Sequence, residues 1–222
     1  LTELHNHLFG VNFGEAHNAT ADVEATTRCF LELIRLREFS KEKLDVDEDY
    51  FKRKSLFHDE NEKWFDDNAL RTIFFCRGAL ETVKKFGWPP DIIHCSGWMT
   101  SLIPAYIKTA FKKEPVFSNA KVIFTIGQNT FDEKLGKDFL TKSLINTNMK
   151  DKDLEPFKDL NNTALFRGGA SYADAITFGA DVLDKKLVSE FSIVKGKKVV
   201  PFNGWDSDLT EYLDLYNDLA AK

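Results

Sequence analysis

The densest grouping of recognition and reactive side chains lies in residues 90–108, PDIIHCSGWMTSLIPAYIK. Asp91-Ile92-Ile93-His94 reads as a short buried-type strand, and Leu102, Ile103, Tyr106, Ile107 and Ala110 recur at helical spacing between Met99 and Lys113. His94, Ser96 and Trp98 therefore fall where a strand ends and a helix begins. Helix amino termini expose unpaired N–H groups and favour anionic or hydroxyl-rich ligands. A neutral imidazole at His94 can donate or accept a hydrogen bond, and the Trp98 indole can offer an apolar face to a sugar ring. The competing reading is structural, with a satisfied buried histidine and a core tryptophan. Cys95 beside His94 makes a poor nucleophile–base pair, because neighbours in a strand point to opposite faces.

A second grouping stands near the start, where His17 and Asp22 are spaced H-x4-D at the opening of an expected helix over Ala21–Leu36. His5-x-His7 has a metal-compatible spacing if it lies on a strand, but no third ligand accompanies it. Those two histidines and His58 read as solvated. Lys112-Lys113 and Lys185-Lys186 are too short for a nucleic-acid stripe.

The elements that must position these groups follow from periodicity and punctuation. A helix is expected over Asn68–Phe86, with Leu70, Ile73, Phe74, Leu80 and Val83 on one face. Asp66, Asp67 and Asn68 are its N-cap candidates, and Gly87 before Trp88-Pro89-Pro90 stops it. Short β-rich runs stand at Lys121–Ile126, Ala175–Phe178 and Lys197–Pro201, and helices at Asp181–Phe191 and Asp208–Leu219. Phe131–Leu160 reads as helix and loop, and Ser171–Asp174 closes a short helix. Strands alternating with helices predict an α/β fold, a Rossmann-like parallel sheet flanked by helices. In such sheets ligands bind beyond the carboxyl ends of the strands, which points to His94–Trp98, Gly127–Asn129 and Phe178–Asp181.

The bulk composition narrows the class. The 222 residues suffice for one sizeable core or two small ones, and 43% hydrophobic with 29% charged residues is ordinary for a globular chain. A net charge of −5 argues against nucleic acid as the main partner. No apolar run approaches the roughly 20 residues needed to span a bilayer. Cys29, Cys76 and Cys95, odd in number and widely spaced, fit buried thiols in a reducing cytoplasm. The chain starts at Leu1 with no visible signal peptide, so a missing true start is expected.

The 90–108 segment resembles the PD-V-V-H-x-H-D-W-x-x-x-L-x-P-x-Y-L motif of the family-5 glycosyltransferases, the bacterial glycogen and plant starch synthases. Pro90, Asp91, His94, Trp98, Leu102, Pro104 and Tyr106 match it. Tyr50-Phe51, Asp59-Glu60-Asn61 and Asp66–Arg71 are similar to the family's YF…DENG…DN-x-x-R-F stretch. KVIFTI at 121–126 resembles the strand before its His-Asn loop, and 168–177, GGASYADAIT, resembles its K-G-G-x-x-Y-A-D-x-V-T-T. The likeness is greatest to a short form found among Bacteroidetes. It implies the acceptor-side half of a GT-B glycosyltransferase, retaining transfer of glucose from ADP-glucose to an α-1,4-glucan, and sugar contacts at His94, Ser96, Trp98 and Asn129. The implied partners are a glucan and ADP-glucose, with no cofactor and no membrane. The departures are specific. Ser96 stands where the family has its active-site histidine, Gly97 where it has an aspartate, and Gly127-Gln128-Asn129 where it has His-Asn. The lysine-glycine-glycine loop and the second Rossmann-like domain are not in this sequence, so an incomplete or inactive synthase is expected, with a glucan-binding or regulatory module as the alternative.

The stretch His17-Asn18-Ala19-Thr20-Ala21-Asp22 resembles the third motif of DEDDh 3′–5′ exonucleases of the DNA polymerase III proofreading type. That resemblance implies His17 as general base and Asp22 as a metal ligand. The earlier D-x-E motif and the middle aspartate do not accompany them, and one carboxylate cannot hold two metals. No nuclease activity is expected, and a 3′–5′ exonuclease fragment stands as the second alternative reading of the chain. The chain is thus expected to join an exonuclease-like remnant at 1–48 to a synthase-like domain at 49–222.

Overall fold

Four short apolar runs become four parallel strands. A computed structural model describes residues 2–11, 53, 55, 57–127, 131–180, 190–191, 196–204 and 209–221. Its strands are β1 (Ile92–Ser96), β2 (Lys121–Ile126), β3 (Ala175–Phe178) and β4 (Lys198–Val200), hydrogen-bonded in the order β1-β2-β3-β4. The helices are α1 (Thr2–Phe9), α2 (Asn68–Phe86), α3 (Leu102–Lys108), α4 (Phe139–Ser143), α5 (Asn162–Tyr172) and α6 (Thr210–Ala220). The expected α/β fold class is the observed one, and the boundaries of α2, β2 and β3 coincide with those read from the sequence. The expected helix over Ala21–Leu36 and most of the one over Asp181–Phe191 lie outside the described residues.

Alternation along the strands divides the core in two. Cys95, Val122, Phe124, Ile126, Ile176 and Phe178 face the larger core, which includes residues of α2, α3 and α5. Ile123, Ala175 and Val200 face the other way and meet Leu215 and Leu219 of α6. Leu8 of α1 packs against the larger core.

Several motif residues are explained by this packing alone. A methyl group on Gly168 would meet the Phe157 ring at 2.0 Å, and one on Gly169 the Phe124 ring at 2.5 Å, so both glycines let α5 lie close to its neighbours. The Tyr172 hydroxyl donates to the Asp153 carbonyl at 2.8 Å. Asp174 accepts from the Val122 amide at 2.7 Å and from Lys108 Nζ at 2.8 Å, tying α3 to the starts of β2 and β3. Lys197 Nζ donates to the carbonyls of Ala170, Ser171 and Ala173, each at 2.7 Å, and closes the carboxyl end of α5.

Some expectations need correction. The helix read over Met99–Lys113 is a 3₁₀ turn at Trp98–Thr100 followed by α3, which stops at Lys108. Thr109 ends it: its hydroxyl donates back to the Ala105 carbonyl at 2.6 Å, and Phe111 N reaches past it to the Tyr106 carbonyl at 2.8 Å. Asp67 occupies the N-cap position of α2 without capping it, because its carboxylate receives Arg53 through two hydrogen bonds of 2.7 and 2.6 Å. Gly87, at φ 63°, closes the other end as expected. His5 is not solvated, being 1% exposed on α1, with Nδ1 paired to the Val11 carbonyl and its ring against Phe9. His58 is half-buried and bridges to Trp64.

Candidate functional site

The carboxyl ends of β1, β2 and β3 form the floor of a cavity of about 840 Å³, within the range of small-molecule sites. His94 and Ser96 come from β1, Thr125 and Gly127 from β2 and the residue after it, and Gly179 from just beyond β3. Tyr212, Leu213 and Tyr216 of α6 form the opposite wall, with Leu209, Phe202 and Gly204 beside them. The three places expected from the strand-end rule thus each contribute to one cavity.

A file of hydrogen bonds crosses this floor. His94 Nε2 pairs with Thr125 Oγ1 at 2.6 Å, and Thr125 Oγ1 with Thr177 Oγ1 at 2.5 Å. The other imidazole nitrogen, Nδ1, pairs with the Tyr216 hydroxyl of α6. One strand face supplies the first three groups, because His94, Thr125 and Thr177 share the side of the sheet that faces α6. Either tautomer satisfies the file: Tyr216 can donate to Nδ1 while Nε2–H donates to Thr125, or every donor can reverse.

Desolvation holds the His94 imidazole below its ordinary pKa and raises the Tyr216 phenol. The folded state therefore resists protonating His94 more than the unfolded state does. This contribution to stability is complete above the ordinary value of about 6.5. It declines as pH falls below that value and through the depressed folded pKa. Denaturant midpoints measured from pH 7.5 to pH 5 should fall in the wild type, and His94→Gln should remove part of that fall. An identical acid slope in the variant would count against this role.

The sequence-predicted site residues do not all converge. His94 and Ser96 line the cavity. Trp98 does not, which corrects its expected role as a sugar platform. Gly97 adopts φ 76°, ψ 171° and turns the chain, and Trp98 enters an aromatic cluster where it is 1% exposed. Its ring centroid lies 4.8 Å from Phe57, 5.6 Å from Trp64 and 4.9 Å from Phe131. Cys95 points into the larger core, where burial pushes its thiol up to about 12, so it is no partner for His94. Asn129, His17 and Asp22 lie outside the described residues, as does the expected boundary at 48 and 49. Tyr212, Tyr216, Thr125 and Thr177 were not read as site residues. The two tyrosines carried a signal, being one helical turn apart beside an expected strand end.

Among the described residues no group of three His, Cys, Asp or Glu could hold a metal ion, and no lining residue of the cavity carries a fixed charge. The floor is suited to holding hydroxyl groups. Its described residues include no carboxylate for acid–base work and no cation for a leaving phosphate.

A Rossmann-like parallel layer with a ligand-sized cavity at its strand ends is the class this architecture defines. The family described as the starch synthase catalytic domain matches residues 6–189, and the chain belongs to that family. That match also runs through His17 and Asp22. A glycogen synthase of Chlorobium limicola is 28% identical over 183 residues, covering 79% of this chain and 37% of that protein. A glycogen synthase of Clostridium perfringens is 34% identical over 147 residues, covering 64% of this chain and 28% of that protein. The catalytic domain of starch synthase IV from Arabidopsis thaliana, solved with ADP and acarbose, is similar at 18% identity and a TM-score of 0.45, covering 75% of this chain and 30% of that one. The chain thus spans well under half the length of these relatives.

Proposed function

We propose that this chain provides the acceptor-side half of a glycogen- or starch-synthase-type site and binds an α-1,4-glucan in the cavity over its strand ends. One observation carries the reading. His94, which matches the family's motif, and Ser96, which stands where that motif has its histidine, open into a cavity with a hydroxyl-and-imidazole floor. Transfer of glucose from ADP-glucose needs cationic groups that stabilise the leaving diphosphate. No lysine or arginine is among the described residues lining the cavity. The chain is therefore expected to bind glucan without transferring glucose by itself. Calorimetry with maltohexaose at millimolar concentration, beside an assay of radiolabelled glucose transfer from ADP-glucose into glycogen, tests both halves. Absence of maltohexaose binding ends the glucan reading, and transfer by the chain alone ends the claim of inactivity.

A cytoplasmic location belongs to the same proposal, supported by the free buried thiols of Cys76 and Cys95. Among the described residues no helix is long and apolar enough to cross a membrane. For His17 and Asp22 we infer no nuclease chemistry, since two-metal catalysis needs further carboxylates.

A further inference from the structure

We infer that Tyr212 and Tyr216, on α6, form the ligand-contacting wall of the cavity and select a neutral, hydroxyl-rich ligand over a nucleotide diphosphate. This rests on the glucan site proposed above and names how that site chooses. The tyrosines stand four residues apart, so they share one helix face. Both hydroxyls are engaged at the sheet. Tyr212 donates to the Phe178 carbonyl at the end of β3 at 3.1 Å, and Tyr216 pairs with His94 of β1. With the hydroxyls tethered, the rings are fixed in orientation and present carbon to the cavity. A ring surface of this kind packs against the C–H face of a pyranose, while Ser96 offers a hydroxyl from the floor.

Charge points the same way. Among the described residues no lysine, arginine, aspartate or glutamate lines the cavity. A diphosphate entering it would lose water without gaining a cation, which is costly. The amino end of α6 is a local source of positive potential, and Glu211 in its first turn offsets it.

Calorimetry on the 222-residue chain with maltohexaose, ADP and ADP-glucose tests the inference, using wild type, Tyr212→Phe and the double variant Tyr212→Leu/Tyr216→Leu. Maltohexaose should bind the wild type, and Tyr212→Phe, which keeps the ring but loses its tether to the Phe178 carbonyl, should bind it about threefold more weakly. The double leucine variant should bind about tenfold more weakly, and neither nucleotide should bind. Should the leucine variant not fold, nitration of the wild type decides. Maltohexaose should slow modification of Tyr212 and Tyr216, and ADP should not. Undiminished maltohexaose affinity in a folded leucine variant, or no protection of either tyrosine, overturns the tyrosine wall while the glucan site stands. ADP binding as tight as that of maltohexaose overturns the selection of a neutral ligand. No maltohexaose binding to the wild type removes both proposals.

Discussion

Trp98→Ala should cost about 3–5 kcal/mol of folding stability, the range for deleting a fully buried large aromatic. The expectation comes from where the ring sits. Trp98 is 1% exposed and touches Phe57, Trp64 and Phe131, while Trp64 and Phe131 also stack on each other at 4.9 Å. Phe131 follows the β2 strand-end segment and Trp98 follows the β1 strand end, so one cluster anchors both chain exits at the cavity floor. Trp98→Phe should lose less, because part of the contact surface remains. Urea denaturation checks the order wild type, Trp98→Phe, Trp98→Ala. A surface sugar platform predicts a different pattern, with little stability lost and maltohexaose affinity abolished. That pattern would sink the packing account. A smaller consequence follows if the cluster holds the floor in place: Trp98→Phe should weaken maltohexaose binding less than the double tyrosine substitution does.

The fold was legible where local signals were strong. KVIFTI and AITF are unbroken apolar runs bounded by polar or turn residues, and they became the central strands β2 and β3, buried on both faces. Asn68–Phe86 carries a long helical period and ends on Gly87, whose positive φ only glycine adopts readily. The location of the cavity was legible too, since strand-end positions follow once the strands are known. The groups that complete it were not. His94 and Tyr216 are 122 residues apart, and no local period announces that contact. The sequence leaves Trp98 open between a sugar face and a core position, because its motif position gives a place in the chain but not the direction of the ring. That direction depends on the backbone at Gly97 and on three aromatic rings from distant segments. Asp67 was misread as a cap because an ion pair with Arg53 competes for the same carboxylate.

Gly97→Asp, which installs the residue the family carries, should lower stability by about 1–3 kcal/mol. Gly97 sits at φ 76°, ψ 171°, in a region that residues with a Cβ essentially avoid. Relaxation is opposed by the bonds around it. Its amide donates to the Thr125 carbonyl at 3.0 Å, and its own carbonyl accepts from the Thr100 hydroxyl at 3.0 Å and from the Thr100 amide at 3.3 Å. Rotating the residue into an ordinary conformation would disturb the β1–β2 ladder or the 3₁₀ turn that leads into α3. The cost is conformational rather than electrostatic, so Gly97→Ala should lose about as much as Gly97→Asp. Ser96→His should change stability little, because Ser96 is exposed at the cavity. Urea titration of the three variants separates these cases. Equal stability of Gly97→Ala and wild type would show that the backbone relaxes and the account is wrong. The same geometry bears on activity. Ser96→His/Gly97→Asp replaces the missing family residues, yet the aspartate enters a backbone shaped for glycine, and the diphosphate still finds no cation on the described cavity walls. Glucose transfer from ADP-glucose should therefore be no higher in the double variant than in the wild type even where maltohexaose still binds, because the aspartate strains the β1 exit and the described cavity walls still carry no cation.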